Sequence, residues 1–222
     1  MTESIRSSVI APTPESAAGT KAGGCPEPEA DAATRARQQM DEIIDSIAGE
    51  LYNLASMLVG EGEEGVRLVE LAIDQAEVSA CQNPRAARKS TRRGLTRAAV
   101  AYLAAADPEA FAAPEGTFHP TTCIEDDDLE SAGMSVEQLE SMFAGPERER
   151  VRQWLVQLSP SIRTVFILRA VAGQDANEAA SILAEFGGPK AAGWQPEAVR
   201  HVFRQGLCSL ASQLLQASTQ KQ

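Results

Sequence analysis

Apolar residues recur along this chain at spacings of three and four, the period of helices that bury one face. Met40, Ile44, Ile47, Leu51, Leu54 and Leu58 make the longest such stripe, with Asp41, Glu42, Asp45 and Glu50 on other sides. Gly60-Glu61-Gly62 ends it. A second helix is predicted through Val66, Val69, Ile73 and Ala76. Glu63 and Glu64 lie in its first turn, where the helix dipole favours negative charge. Asn83-Pro84, a capping residue followed by proline, opens a third helix whose apolar face runs Leu95, Ala99, Tyr102 and Ala106.

The same period returns after residue 146. Val151, Leu155 and Leu158 stripe a helix that stops at Ser159-Pro160. Ile162, Val165, Phe166 and Leu168 stripe the next, which Gly173 closes. Asp175, followed three residues later by Glu178, has the pattern of a capping box. It starts a short alanine-rich helix with Ala179, Leu183 and Phe186 inward. Gly187-Gly188-Pro189 breaks that helix, and Gln195-Pro196 starts a long last one striped by Val199, Phe203, Leu207, Leu210 and Leu214. The expected fold is all-α.

Charge divides the chain more sharply than hydrophobicity does. Its 222 residues carry 31 Asp and Glu against 20 Lys and Arg, a formal net charge of −11. Residues 113–146 hold eight acids and no base, whereas residues 147–222 hold nine bases and six acids. The acidic segment also carries Pro114, Pro120, Pro146, Gly116, Gly133 and Gly145. It reads as a flexible linker with one short helical stretch near 136–143. Residues 1–33 lack periodicity and read as a disordered tail. Two small helical domains, 34–112 and 147–222, joined by the acidic linker is the expected organisation. The chain is long enough for one sizeable core or two small ones.

Composition excludes several classes. No apolar run approaches the length of a membrane span, and residues 1–20 lack the basic-then-apolar order of a signal peptide. Cys25, Cys81, Cys123 and Cys208 lie far apart, with no metal-ligand spacing. They read as reduced structural thiols of a cytoplasmic protein. His119 and His201 have no nucleophile or carboxylate at a recognisable spacing, so no enzyme, cofactor or metal is expected.

Bulk acidity conceals a basic helix. Arg85, Arg88 and Arg92 fall at spacings of three and four, and Lys89, Arg93 and Arg97 at four and four. Six cations in thirteen positions can sit against phosphates, or form a solvated face neutralised by the acidic segment. No Phe, Trp or Tyr lies among them. The short alanine-rich helix, glycine turn and long helix with Arg200, His201 and Arg204 near its amino end have the pattern of a helix-turn-helix. Two packed helices of an ordinary bundle give the same pattern.

Both halves, in this order, resemble a bacterial RNA polymerase sigma factor of the extracytoplasmic-function type. The run from Leu51 to Glu70 resembles the family's first domain, in which a Leu/Ala-striped helix, a Gly-acidic turn and an acidic helix dock on the polymerase clamp. The run from Val151 to Arg169, with Leu158-Ser159-Pro160, resembles the entry to its second, DNA-binding domain. Glu178–Ala184 is similar to that domain's Glu-Ile-Ala helix, and Glu197–Arg200 to the start of its recognition helix.

The resemblance implies a transcription initiation factor that binds core RNA polymerase and promoter DNA, with an anti-sigma factor as a further partner. It places Arg200, His201 and Arg204, with Lys190 in the preceding turn, at the upstream promoter element. It places Arg88, Lys89, Arg92 and Arg93 at the downstream element, and Glu63, Glu64 and Glu70 on polymerase. Three features depart from the family. Glu64-Gly-Val-Arg67 puts a cation where a carboxylate is usual, no aromatic accompanies the basic helix before Tyr102, and the turn at 187–195 is long. The alternative reading is a degenerate sigma-like binding or regulatory protein that does not open promoters. Complementary charge also allows the acidic segment to fold back on the basic helix or the carboxy-terminal half, against a solvated tether.

Overall fold

The computed structural model describes residues 30–75, 84–114, 123–124, 126–146 and 148–219, all in helices, turns and loops with no strand among them. Residues 1–29 of the expected tail, Ala76, Cys25, Cys81, Asn83, His119 and Glu125 lie outside the described residues.

The long first stripe becomes α1 (Ala30–Val59), which buries Ile47, Leu51, Leu54 and Leu58. Residues 30–33, assigned by sequence to the tail, are helical. Gly60 and Gly62, at φ of 92° and 138°, turn the chain into α2 (Glu63–Gln75). Side chains other than glycine's rarely adopt that backbone.

In α2 the buried face is Gly65, Leu68, Val69 and Ala72, whereas Val66, expected inward, is 46% exposed. Close packing explains the rotation. A Cβ on Gly65 would lie 3.4 Å from the Tyr52 ring, so the small residues face the neighbouring helices. Next, α3 (Pro84–Ala106) packs on both α1 and α2 and buries Ala87, Thr91, Leu95, Ala99 and Val100. Tyr102 and Ala106, expected on its apolar face, are exposed.

Residues 123–146 differ from the expected free tether. Ile124, Leu129, Met134, Leu139 and Phe143 are buried in the same hydrophobic cluster as both halves of the chain, while Asp126, Asp128 and Glu130 stay exposed. These acids occupy positions between the apolar ones, so the segment covers the core with Asp126, Asp128 and Glu130 outward. A short 3-10 turn, Glu130–Ala132, packs on the last helix. The expected short helix is α4 (Val136–Ala144), started by a capping box between Ser135 and Gln138.

Then α5 (Arg148–Gln157) buries Val151, Trp154 and Leu155. Ser159 caps α6 (Pro160–Phe166), which widens into a π-helical turn, Ile167–Val171. The Asp175 carboxylate accepts from the N–H groups of Asn177 and Glu178 to start α7 (Ala176–Phe186). After a 3-10 turn, Pro189–Ala191, the chain ends in α8 (Pro196–Thr219), which buries Val199, Phe203, Leu207 and Leu210.

Gly206 in the middle of α8 is a packing requirement. A Cβ there would lie 3.1 Å from the Phe166 ring, so the glycine lets α6 approach α8. Phe166 in turn meets Trp154 edge to face at 5.1 Å, and Trp154 Nε1 donates to Ser209 Oγ at 2.9 Å.

Packing of α7 on α3 joins the two halves. Gln174 Nε2 donates to Thr96 Oγ1 at 2.7 Å inside this seam. Trp194, in the long turn before α8, is 3% exposed.

Candidate functional site

The first half of α3 presents its cations to three different neighbours. Arg88 and Arg92 turn toward α1, where Glu50 lies 3.6 Å from Arg88 Nε and 3.1 Å from Arg92 Nη2. Lys89 turns toward α7, its Nζ 3.8 Å from Glu178 Oε1. Arg97 stacks over the Phe186 ring at 5.6 Å. Arg85 and Arg93 are exposed. Ion pairs this exposed contribute little stability, about 0–1 kcal/mol each. What they do is hold flexible cations in place.

Between α3 and the turn before α7 these side chains line a cleft of about 460 Å³. Arg88, Lys89, Arg92 and Arg93 therefore share one concave surface, as the spacing on one helix required. Gly173, Gln174 and Glu178 also line it, from more than 75 residues along the chain. Nothing local in the sequence marks those three as neighbours of the basic helix. Asp175 stands close by. Its carboxyl is held below its ordinary range, first by the Glu178 N–H, with the Asn177 N–H and the charges of Arg169 and Lys89 adding to it.

None of Arg200, His201 and Arg204 lines that cleft. All three are half-buried near the start of α8. Arg200 lies 3.3 Å from Glu197 through Nη1 and 3.9 Å from Asp127 Oδ2 through Nε. His201 Nε2 lies 3.0 Å from Gln205 Nε2. Lys190 is exposed in the turn and paired with Glu109 after α3.

Arg169, to which sequence reasoning gave no role, is the centre of this second cluster. Its guanidinium donates to the Asp127 carboxylate and to the Asp127 carbonyl at 3.1 Å, and to the Gln174 carbonyl at 3.1 Å. It also lies over the Phe203 ring at 5.1 Å. Asp127 thus adds a polar link to the carboxy-terminal half beside the segment's buried apolar contacts.

The acidic residues expected to dock a partner are exposed along α2: Glu63 and Glu64 in its first turn, Glu70 further on. Beside them Leu71 is 41% and Tyr102 39% exposed, bordering a groove of about 420 Å³ between α2 and α3.

Of the two described cysteines, Cys123 is exposed and Cys208 half-buried, both free thiols. Burial, with the neighbouring Cys123 thiol, pushes Cys208 up to about 11. Among the described residues no group of three His, Cys, Asp or Glu side chains could hold a metal ion, and no helix is long and apolar enough to cross a membrane. No known protein family, curated protein or solved structure matches the chain.

Proposed function

We propose that this chain is a sigma-like transcription initiation factor that binds core RNA polymerase and promoter DNA. The observation that carries the reading is the helix pair α7–α8. A short helix with small buried residues, Ala176, Ala179 and Ala180, packs on a long helix whose amino end carries Arg200, His201 and Arg204. Small residues permit the close approach that a helix-turn-helix needs, and the second helix can enter a major groove amino end first. Arginines there suit guanine edges and phosphates.

On this reading the two helical units, 34–112 and 147–222, are sigma-type domains, and the acidic segment between them is the linker along which they separate on polymerase. The basic cleft of α3 faces the downstream promoter element. Glu63, Glu64 and Glu70, beside exposed Leu71 and Tyr102, dock on polymerase. An exposed apolar patch rimmed by charge is the usual mark of a protein partner. The protein acts in the cytoplasm, catalyses no covalent step, and an anti-sigma factor is a further partner.

A second reading keeps the binding and drops promoter opening. It is favoured by the α3 side chains themselves, because no aromatic stands among the cations to stack on separated bases. One experiment tests both. Purified chain is added to core polymerase and scored for co-elution, then for specific run-off transcription. Transcripts support the first reading, co-elution without transcripts the second, and neither co-elution nor DNA binding overturns both.

A further inference from the structure

We propose that the cleft between α3 and the turn before α7 binds a small diphosphate-bearing anion, inorganic pyrophosphate or a nucleoside polyphosphate. Its volume of about 460 Å³ falls in the range of small-ligand sites. Arg85, Arg88, Lys89, Arg92 and Arg93 line one wall as a helical strip. At 1.5 Å per residue that strip runs about 12 Å, enough to follow a chain of linked phosphates.

The cations outnumber the carboxylates that face them. Glu50 and Glu178 are the acids of the lining, with Asp175 beside Lys89. Glu50 bridges Arg88 and Arg92, which fixes two guanidinium groups side by side before any ligand arrives. Preorganised guanidinium groups bind phosphate oxygens in pairs. Arg93 carries no ion pair among the described residues, so its charge is available to the cleft.

A second observation comes from the lining residue Gln174, which is 7% exposed. Its amide nitrogen is used by Thr96, but its Oε1 is buried with no hydrogen-bond partner among the described residues. A buried acceptor in that state wants a donor. A ribose hydroxyl, a base amino group or a protonated phosphate oxygen supplies one. Cations along one wall and a lone acceptor in the lining suit a ligand with charge at one end and a donor at the other. A DNA duplex presents its phosphates on a convex surface too large to enter this concavity, so promoter DNA facing α3 meets only the rim and leaves the interior to a small anion.

Calorimetric titration of the full chain at 0.15 M salt tests the site, with sodium pyrophosphate, adenosine triphosphate and sodium sulfate as probes. Saturable binding of one pyrophosphate or triphosphate per chain is expected, with sulfate at least ten-fold weaker. Arg92→Ala should weaken binding at least ten-fold. Arg93→Gln, which breaks no ion pair, should do the same in a chain whose circular dichroism is unchanged. Arg67→Ala, on α2 outside the cleft, should have no effect. Triphosphate binding with pyrophosphate inert identifies the nucleotide as the source. The proposal is overturned if neither phosphate binds, if sulfate binds equally, or if the cleft variants bind like the parent. It is also overturned if only a DNA oligonucleotide binds through Arg92. None of these needs polymerase or a promoter, so this site and the transcriptional reading can fail separately.

Discussion

The indole N–H of Trp194 donates to the backbone carbonyl of Phe111 at 2.9 Å, fastening the loop before α8 to the chain just after α3. Both side chains are buried, and the hydrogen bond bridges 83 positions of sequence. Nearby, Ala113 N–H donates to the Lys190 carbonyl at 3.0 Å. The end of the first helical unit and the turn of the second are one structure.

Trp194→Phe keeps an aromatic ring and leaves the Phe111 carbonyl buried without its donor. Stability should fall by about 1–3 kcal/mol, the cost of an orphaned buried acceptor. Urea denaturation checks this. A transition at the parent midpoint would show that the bond contributes nothing.

Asp127 engages Arg169 and stands beside Arg200. If α8 reads DNA, Asp127→Ala should raise DNA affinity a few-fold at low salt by freeing a cation. Fluorescence anisotropy at two salt concentrations measures it. Unchanged affinity at low salt would exclude competition by this residue.

If α8 reads DNA, replacing Arg200 and Arg204 by Ala should weaken that binding. It should also flatten the dependence of log K on log salt by about one for each phosphate no longer neutralised. An unchanged slope would mean that neither arginine sits against a phosphate.

Cys208, its pKa raised to about 11 by burial and by Cys123, should be slow to alkylate. Only about 0.1% of it is thiolate at pH 8, and the thiolate is the nucleophile. Iodoacetamide labelling followed by peptide mass spectrometry should show Cys123 modified well before Cys208. Equal rates would contradict the burial.

Asp175 caps α7 and is held below the usual carboxylate range, first by the Glu178 N–H. A depressed acid stabilises the fold at every pH above its unfolded value. That contribution is lost as pH falls below the ordinary 3.8 and through the lowered folded value. Asp175→Asn retains a capping side chain that does not titrate. Its stability should therefore vary less than the parent's between pH 2 and 5 in urea titrations.

The helices were legible because their stripes were long and their ends chemically marked. The helix expected to stop at Ser159-Pro160 ends just before it, Asp175 starts a helix where the sequence predicted, and Ile47, Leu51, Leu54 and Leu58 are buried as one face. The rotation of α2 was not legible. Gly65 and Ala72 mark its buried face by being small, and hydrophobic periodicity cannot weigh smallness. Ile124, Leu129 and Met134 of the acidic segment were hidden for a different reason, since they are spaced too widely for a helical stripe and stand among charges and turn residues.

Of the candidate site, the basic strip on α3 could be read from spacing alone. Its closure by Gly173, Gln174 and Glu178 depends on α7 packing against α3, which no local pattern encodes. Nothing local in the sequence singles out Arg169, one arginine in the apolar run Ile167-Leu168-Arg169-Ala170-Val171. The π-helical turn places it against Asp127 and Phe203.

Four of the buried residues of the acidic segment, Ile124, Leu129, Met134 and Leu139, fall five positions apart. A free tether tolerates insertions and deletions, because each doubling of its length costs only about 0.6 kcal/mol. Here a single residue added between Leu129 and Met134 would push one of these anchors out of its socket. Length is therefore a specified quantity in the most acidic part of the chain, and a series of one-residue insertions would show a stepwise penalty where a flexible spacer shows none.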